Sequence, residues 1–272
     1  MGHYIELTTF DLLLAVGLIV IASSISLTLR LGLTRSLAIA ATRCMLQLGA
    51  IGLILKKIFQ INSPYLVLAW LAFMLFMASR EAVRRAKSKY KGINLDALAT
   101  MTFTSLTVGL LVTQVIIKVR PWYDPQYVIP IFGMIFGNSL NGICLCLDRF
   151  LEYLRSRQRE VELALCFGAT RQEAVLEGAR QAVRTGMIPI INNMTVAGIV
   201  SLPGMMTGQI VAGASPVQAV AYQIVIMFMI AASNALGSML FATLAARRLV
   251  SNRGIELQIG GNGNMATKGA RP

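Results

Sequence analysis

Histidine is almost missing from this chain: His3 is the single one among 272 residues. A Ser-His-Asp triad or a histidine-built metal centre within the body of the protein is therefore excluded, and His3, in the N-terminal leader, reads as incidental. Acidic residues are scarce too, 12 against 25 Lys and Arg, and no dense Asp/Glu/His cluster stands at metal-ligand spacing, so any metal ligands stay unknown at this level. Cysteine is limited to Cys44, Cys144, Cys146 and Cys166. Cys144 and Cys146, two apart on a helix, point to different faces and do not make a zinc spacing. No Gly-x-x-x-x-Gly-Lys-Ser/Thr loop occurs anywhere, so the chain has no usual cradle for nucleotide phosphates. An enzyme acting through these groups is a poor reading.

Charge is sparse where apolar residues are dense: 14% charged against 56% hydrophobic, with a mean hydropathy of +0.65. Seven apolar stretches emerge: Phe10–Leu29, Ser36–Leu55, Pro64–Ser79, Leu95–Ile117, Val128–Leu147, Gly186–Ala212 and Val217–Ala246. A hydrocarbon core of about 30 Å takes roughly 20 helical residues to cross. Each stretch must be helical, because lipid offers backbone groups no partner. The expected fold is all-α: a polytopic membrane protein of about seven transmembrane helices, the third the shortest. The first span has no basic segment before it and exceeds a signal-peptide core, so it is read as retained.

The net charge of +13 could suggest nucleic acid, but DNA binding needs such charge on one soluble face. Here it sorts by loop. Lys56, Lys57, Lys118 and Arg120 lie on one side of the membrane. Apart from Arg43, inside the second span, the remaining Lys and Arg fall on the other. That bias places the N-terminus outside and the C-terminus in the cytoplasm. All four cysteines then lie toward the reducing cytosol, where structural disulfides are not expected.

Between spans five and six, residues 150–185 are too apolar for a linker and read as a cytoplasmic helical elbow. One short helix runs from about Arg157 to Phe167 and ends at Gly168, a good C′ residue. Thr170-Arg171-Gln172-Glu173 is a capping box that opens a second. The elbow is followed by residues 186–250 of the membrane domain, which as a whole covers 1–250. The Gly/Asn-rich segment 251–272 reads as a disordered cytoplasmic tail.

The stretch Glu162-Leu-Ala-Leu-Cys-Phe-Gly168 resembles the first half of the EAA signature of ABC transporter permeases, although the Ile and Leu-Pro of the second half are not reproduced at their usual spacing. Gly137-Asn-Ser-Leu-Asn-Gly142, Glu162–Thr170, Gly186–Gln209 and Ala212–Val220 are similar to the FetB family of iron-export permeases, and to plant permeases of aluminium tolerance. The likeness runs from about Phe10 to Arg248. It implies a permease homodimer in the cell inner membrane, bound to separately encoded cytoplasmic ATP-binding subunits. The chain itself would hold no cofactor, with ATP on the partner, and it would have no business with nucleic acid. Through this resemblance Glu162, Ala164, Gly168, Thr170 and Glu173 become the candidates for coupling to the ATPase. Iron and the export direction come from the resemblance alone.

Polar residues at membrane depth face a bundle interior or a wet cavity. Asn138 and Asn141 on the fifth span, Asn192, Asn193 and Thr195 on the sixth, Gln209 beyond it, and Asn234 on the seventh are the candidate path residues. Pro203-Gly204 should kink or unwind the sixth span as a hinge. Gly133-x-x-x-Gly137 and Gly204-x-x-x-Gly208 offer close helix approach. Arg43 and Gln47, one turn apart on the second span, form a possible gate, unless Arg43 snorkels or pairs with Asp148. Met205 and Met206 read as packing residues, since their soft thioethers suit ferrous iron poorly. The alternatives are an ion-coupled secondary transporter, an ABC permease for a non-metal solute such as a nucleotide sugar, and a membrane scaffold that transports nothing. Against the first, the only acid read near a span is Asp148, at a span end.

Overall fold

The computed structural model describes residues 8–86, 90–251 and 254–255. Nine α-helices follow one another among them: α1 (Thr9–Thr28), α2 (Thr34–Ile61), α3 (Pro64–Arg85), α4 (Ile93–Leu110), α5 (Pro125–Ser156), α6 (Gln158–Cys166), α7 (Arg171–Val196), α8 (Gly204–Val211) and α9 (Pro216–Leu249). A π-helical turn, Leu111–Ile116, extends α4, and Val250–Ser251 pairs antiparallel with Gly254–Ile255 beyond α9. The proposed tail otherwise lies outside the described residues, as do His3, Lys87 and Lys89. The protein is an all-α, multi-pass membrane protein.

Six of these helices, α1 to α5 and α9, are long and apolar enough to cross a membrane by length and composition. The remaining expected span, the sixth, Gly186–Ala212, is built in two pieces, the end of α7 and the short α8. Two details depart from the sequence expectation. The second elbow helix does not stop before the membrane; α7 runs on through Gly186 and past Pro189 to Val196. The break also begins earlier than Pro203, at Ala197, and Pro203 serves as the N-cap of α8. The cause is local: Gly198 takes φ +85°, a conformation costly for residues with a Cβ. The Gly198 N–H then donates to the Ser201 carbonyl at 2.8 Å, which closes an ordered loop.

The core is made by α3, α4, α5, α7 and α9, with Phe150, Phe241, Met101 and Leu154 among its buried side chains. Its tightest point joins α5, α7 and α9. A methyl on Gly186 would lie 2.6 Å from Ser238 Oγ and 2.8 Å from the Gly142 carbonyl oxygen. One on Gly142 would lie 3.2 Å from the Asn234 amide. Without a hydrophobic drive between helices in lipid, such small-residue contact is what allows backbones to associate closely. Nearer the cytoplasm, Gly178 of α7 faces the Tyr153 ring of α5 in the same way. By contrast, Gly137, Gly204 and Gly208 have open space around them, so neither expected Gly-x-x-x-Gly pair is used in full within this chain. Helices α1 and α2 pack chiefly on each other, and Ile58 is the one residue of α2 that is buried.

Replacing Gly186 by Ala forces a methyl against a backbone oxygen, and overpacking of this kind costs about 1–3 kcal/mol. Thermal unfolding in detergent should show a clear drop for Gly186→Ala and little change for Gly137→Ala.

Candidate functional site

The elbow has the caps its sequence called for. Thr170 Oγ1 accepts from the Glu173 N–H at 3.3 Å, and a Glu173 carboxylate oxygen accepts from the Thr170 N–H at 2.8 Å and its hydroxyl at 2.7 Å. These bonds hold the Glu173 carboxyl below its ordinary value. Gly168, at φ +90°, ends α6. Its N–H and that of Ala169 donate to the carbonyls of Leu165 and Ala164. Glu162 accepts from Gln158 Nε2 at 2.8 Å, and it lines a polar recess with Arg155, Arg157, Arg159 and Glu160 where α5 turns into α6.

On one side α6 is anchored by Val161, fully buried. On the other, Leu163 and Phe167 stand out, Phe167 with 84% of its surface exposed. The sequence reading passed over both, yet one signal was available: apolar residues four apart on a helix already marked as cytoplasmic. A second tie fixes the elbow to the bundle. Arg149 of α5 donates to Gln181 of α7 at 3.0 Å, and Gln181 donates to Glu177 at 3.2 Å.

The candidate path residues fall into three places. Asn141, Asn192, Asn193 and Thr195 are exposed on the surface of the bundle, with Asn138 half-buried, its amide donating to the Met134 carbonyl at 2.9 Å. Asn141 accepts from Arg85 of α3 at 3.3 Å. Thr185 and Asn192 follow Gln181 at helical spacing along the flank of α7 next to α5. Gly137 and Asn141 of α5 and Asn192 of α7 thus lie on exposed faces of the bundle. Asn234 is elsewhere: 3% exposed, against Gly142, its Oδ1 accepting no hydrogen bond. Gln209 is in a third location, a cavity of about 170 Å³ at the end of the bundle away from the elbow, together with Gln126, Tyr127, Tyr222 and Met205. Met206 is buried, as packing residues are.

Arg43 and Gln47 are not brought to any of these. Both are exposed on α2, which meets α5, the helix of Asp148, only slightly. Between α7 and α8 the loop 197–203 leaves Ile199 90% and Val200 80% exposed.

One buried charge was missed. Asp96, at the mouth of α4, is 4% exposed and accepts from Arg248 Nε at 2.9 Å and from the Tyr90 hydroxyl at 2.8 Å. Burial, with Asp96 taking its hydrogen bond, pushes the Tyr90 phenol up. The Arg248 guanidinium lies over Gly92, where a Cβ would come within 2.5 Å of Nη1. This cluster ties the start of α4 to the end of α9 and gives each carboxylate oxygen of Asp96 a partner. Removing one partner of a buried pair costs about 3–5 kcal/mol at full burial, and less here because Arg248 is 44% exposed at its side chain. Arg248→Met should therefore lower the unfolding temperature measurably, and Arg248→Met with Asp96→Asn should recover part of the loss.

Among the described residues, no group of three or more His, Cys, Asp and Glu is placed to hold a metal ion. No solved structure matches the chain. Relatives are found by sequence. UPF0014 membrane protein slr1647 of Synechocystis is 39% identical over 237 residues, covering 86% of this chain and 90% of that protein. The probable iron export permease protein FetB of Escherichia coli is 32% identical over 248 residues, or 91% and 94%. Protein ALUMINUM SENSITIVE 3 of Arabidopsis thaliana is 34% identical over 225 residues, or 82% and 81%. The model of the uncharacterised protein family UPF0014 matches residues 9–250, from the first turn of α1 to the end of α9, and the chain belongs to that family.

Proposed function

We propose that this chain is the membrane-spanning subunit of an ABC transporter in the cell inner membrane. It exports iron or a related metal solute, driven by ATP hydrolysis on a separate cytoplasmic subunit. The observation that carries the reading is the continuity of α7. One helix, continuous through Pro189, joins the exposed elbow at Arg171 to the break at Val196, so a push on the elbow is carried along it to the break. Leu163 and Phe167, exposed beside the charged recess of Arg155, Arg157 and Arg159, would serve as the docking surface for that motor. Metal export is supported by the similarity to the FetB protein, which is named a probable iron export permease.

A homodimer completes the picture. Backbone polar groups at membrane depth are tolerated only where protein or a water-filled cavity covers them. Ile199 and Val200 of loop 197–203, and Asn141 on α5, are exposed in a single chain. A second copy closing over α5 and α7 would cover them and enclose a path lined by Asn141, Asn192, Asn193 and Thr195. Secondary transport finds less support: Asp96, the one buried acid among the described residues, is paired with Arg248, and ion coupling favours an acid that is free to change partners.

The test is co-purification with an ATP-binding subunit, followed by ATP-driven iron uptake into inverted vesicles. In that system Phe167→Asp should lower iron-stimulated ATP hydrolysis about tenfold, the effect of losing roughly 1.4 kcal/mol of docking energy, while the permease still folds. Pro203→Ala with Gly204→Ala should keep ATPase binding but slow transport. Full coupling in both variants would remove the elbow and the hinge from the account.

A further inference from the structure

The cavity that holds Gln209 lies among α5, α8, α9 and the end of the π-helical turn, away from the elbow. Its walls are largely apolar, and the polar groups set into them are neutral: two amides, Gln126 and Gln209, and two phenols, Tyr127 and Tyr222. Gln209 Oε1 is shut off from solvent and accepts no hydrogen bond among the described residues, so the cavity favours a ligand that brings a donor. Charge begins only at the rim. Ile117, in the wall, leads straight into Lys118 and Arg120, both exposed, on either side of the buried Val119. That link is pinned: the Val119 N–H donates to the Thr113 carbonyl at 2.9 Å, and Gln114 Nε2 donates to the Trp122 carbonyl at 3.3 Å. Neither cation forms a salt bridge among the described residues. Asp124, the one acid between Ile117 and Tyr127, accepts from the Gln126 N–H at 3.0 Å.

We propose that this cavity and its rim bind the glycerol phosphate head of an anionic phospholipid. The phosphate sits at Lys118 and Arg120, and the free glycerol hydroxyls enter the cavity, one of them donating to Gln209 Oε1. A polyol fits such a lining, since its C–H edges rest on isoleucine while its O–H groups exchange hydrogen bonds with amides and phenols. The volume of about 170 Å³ is well above the roughly 10–15 Å³ that one water needs on the same measure, so a three-carbon head is accommodated. A soluble glycerol phosphate offers the same chemistry, but the position of the site favours the lipid. The ends of α4 and α5 that meet here belong to helices long and apolar enough to cross a membrane. Trp122 and Tyr123 stand in the link between them, with Tyr127 in the first turn of α5, and these residue types settle at headgroup level. Basic residues beside a pocket at that level are a recognised means of holding anionic lipid heads. A lipid so held ties α8, the helix beyond the break, to the pinned link after the π-helical turn, whatever solute the protein carries.

The experiment measures lipid binding to the full chain in detergent by native mass spectrometry. The probes are phosphatidylglycerol, phosphatidic acid and phosphatidylcholine with the same acyl chains. Neither ATP nor metal enters the assay, so its outcome is separate from that of the transport reading. Phosphatidylglycerol should bind tightest, phosphatidic acid, which has the anion but no glycerol hydroxyls, next, and phosphatidylcholine weakest. Gln209→Leu should weaken phosphatidylglycerol about tenfold, roughly 1.4 kcal/mol. It should leave phosphatidic acid unchanged, which also shows that the variant is folded. Lys118→Gln with Arg120→Gln, on the exposed rim, should bring both anionic lipids down to the level of phosphatidylcholine and guards against a folding defect at residue 209. Equal binding of the three lipids to the wild type, or the wild-type order of preference kept in both variants, overturns the site. Displacement of phosphatidylglycerol by an equal concentration of soluble glycerol phosphate overturns the lipid in favour of a soluble ligand.

Discussion

The architecture depends on the contact of two glycines. Gly142 and Gly186 let α5 and α7 approach until a methyl on one would meet the backbone of the other, and α9 closes over them with Asn234 and Ser238. In lipid this closeness supplies the dispersion contacts that water-driven burial would supply elsewhere. It also sets what can move. A helix clamped at Gly186 cannot bend there, so the flexible element has to be placed further along, where Gly198 and Pro203 interrupt the backbone.

From that clamp the functional layout follows. On the elbow side of Gly186, α7 is held to α5 by Tyr153 over Gly178 and by Arg149 on Gln181, and the elbow is capped at both α6 and α7. On its other side the chain continues into loop 197–203 and the short α8, which lines the cavity with Gln209. The Tyr90–Asp96–Arg248 cluster ties the start of α4 to the end of α9, so the bundle has a stiff half toward the elbow and a more open half away from it. In the proposed transport cycle, the stiff half receives force and the open half changes shape.

Much of this was legible in the sequence. The bilayer demands runs of apolar helix, and all but one of the expected spans formed as single helices. The elbow was legible because Gly168 and Thr170-x-x-Glu173 are chemical requirements of helix ends and not matters of packing. The sixth span was harder, since Gly186 reads equally as a joint and as a packing point; the carbonyl of Gly142 beside it decides. Pro203 marked the break but not its start, because a proline caps the following helix as readily as it ends the preceding one. The Asp96 cluster was hidden by distance: its cation sits 152 residues further along. The polar residues of the spans were singled out as one set, yet nothing in their spacing separated the exposed Asn141 and Asn192 from the buried Asn234 or from Gln209 in its cavity.

The central claim is that α7 works as a rigid lever from motor to membrane. Spin labels at Phe167 and Ile199 of the complex with its ATP-binding subunit, read as distances with and without trapped nucleotide, address it directly. The account predicts a constant separation of the two labels within one chain, and a changed separation between the Ile199 labels of the two chains. A distance within the chain that varies, or an Ile199 pair indifferent to nucleotide, would contradict it.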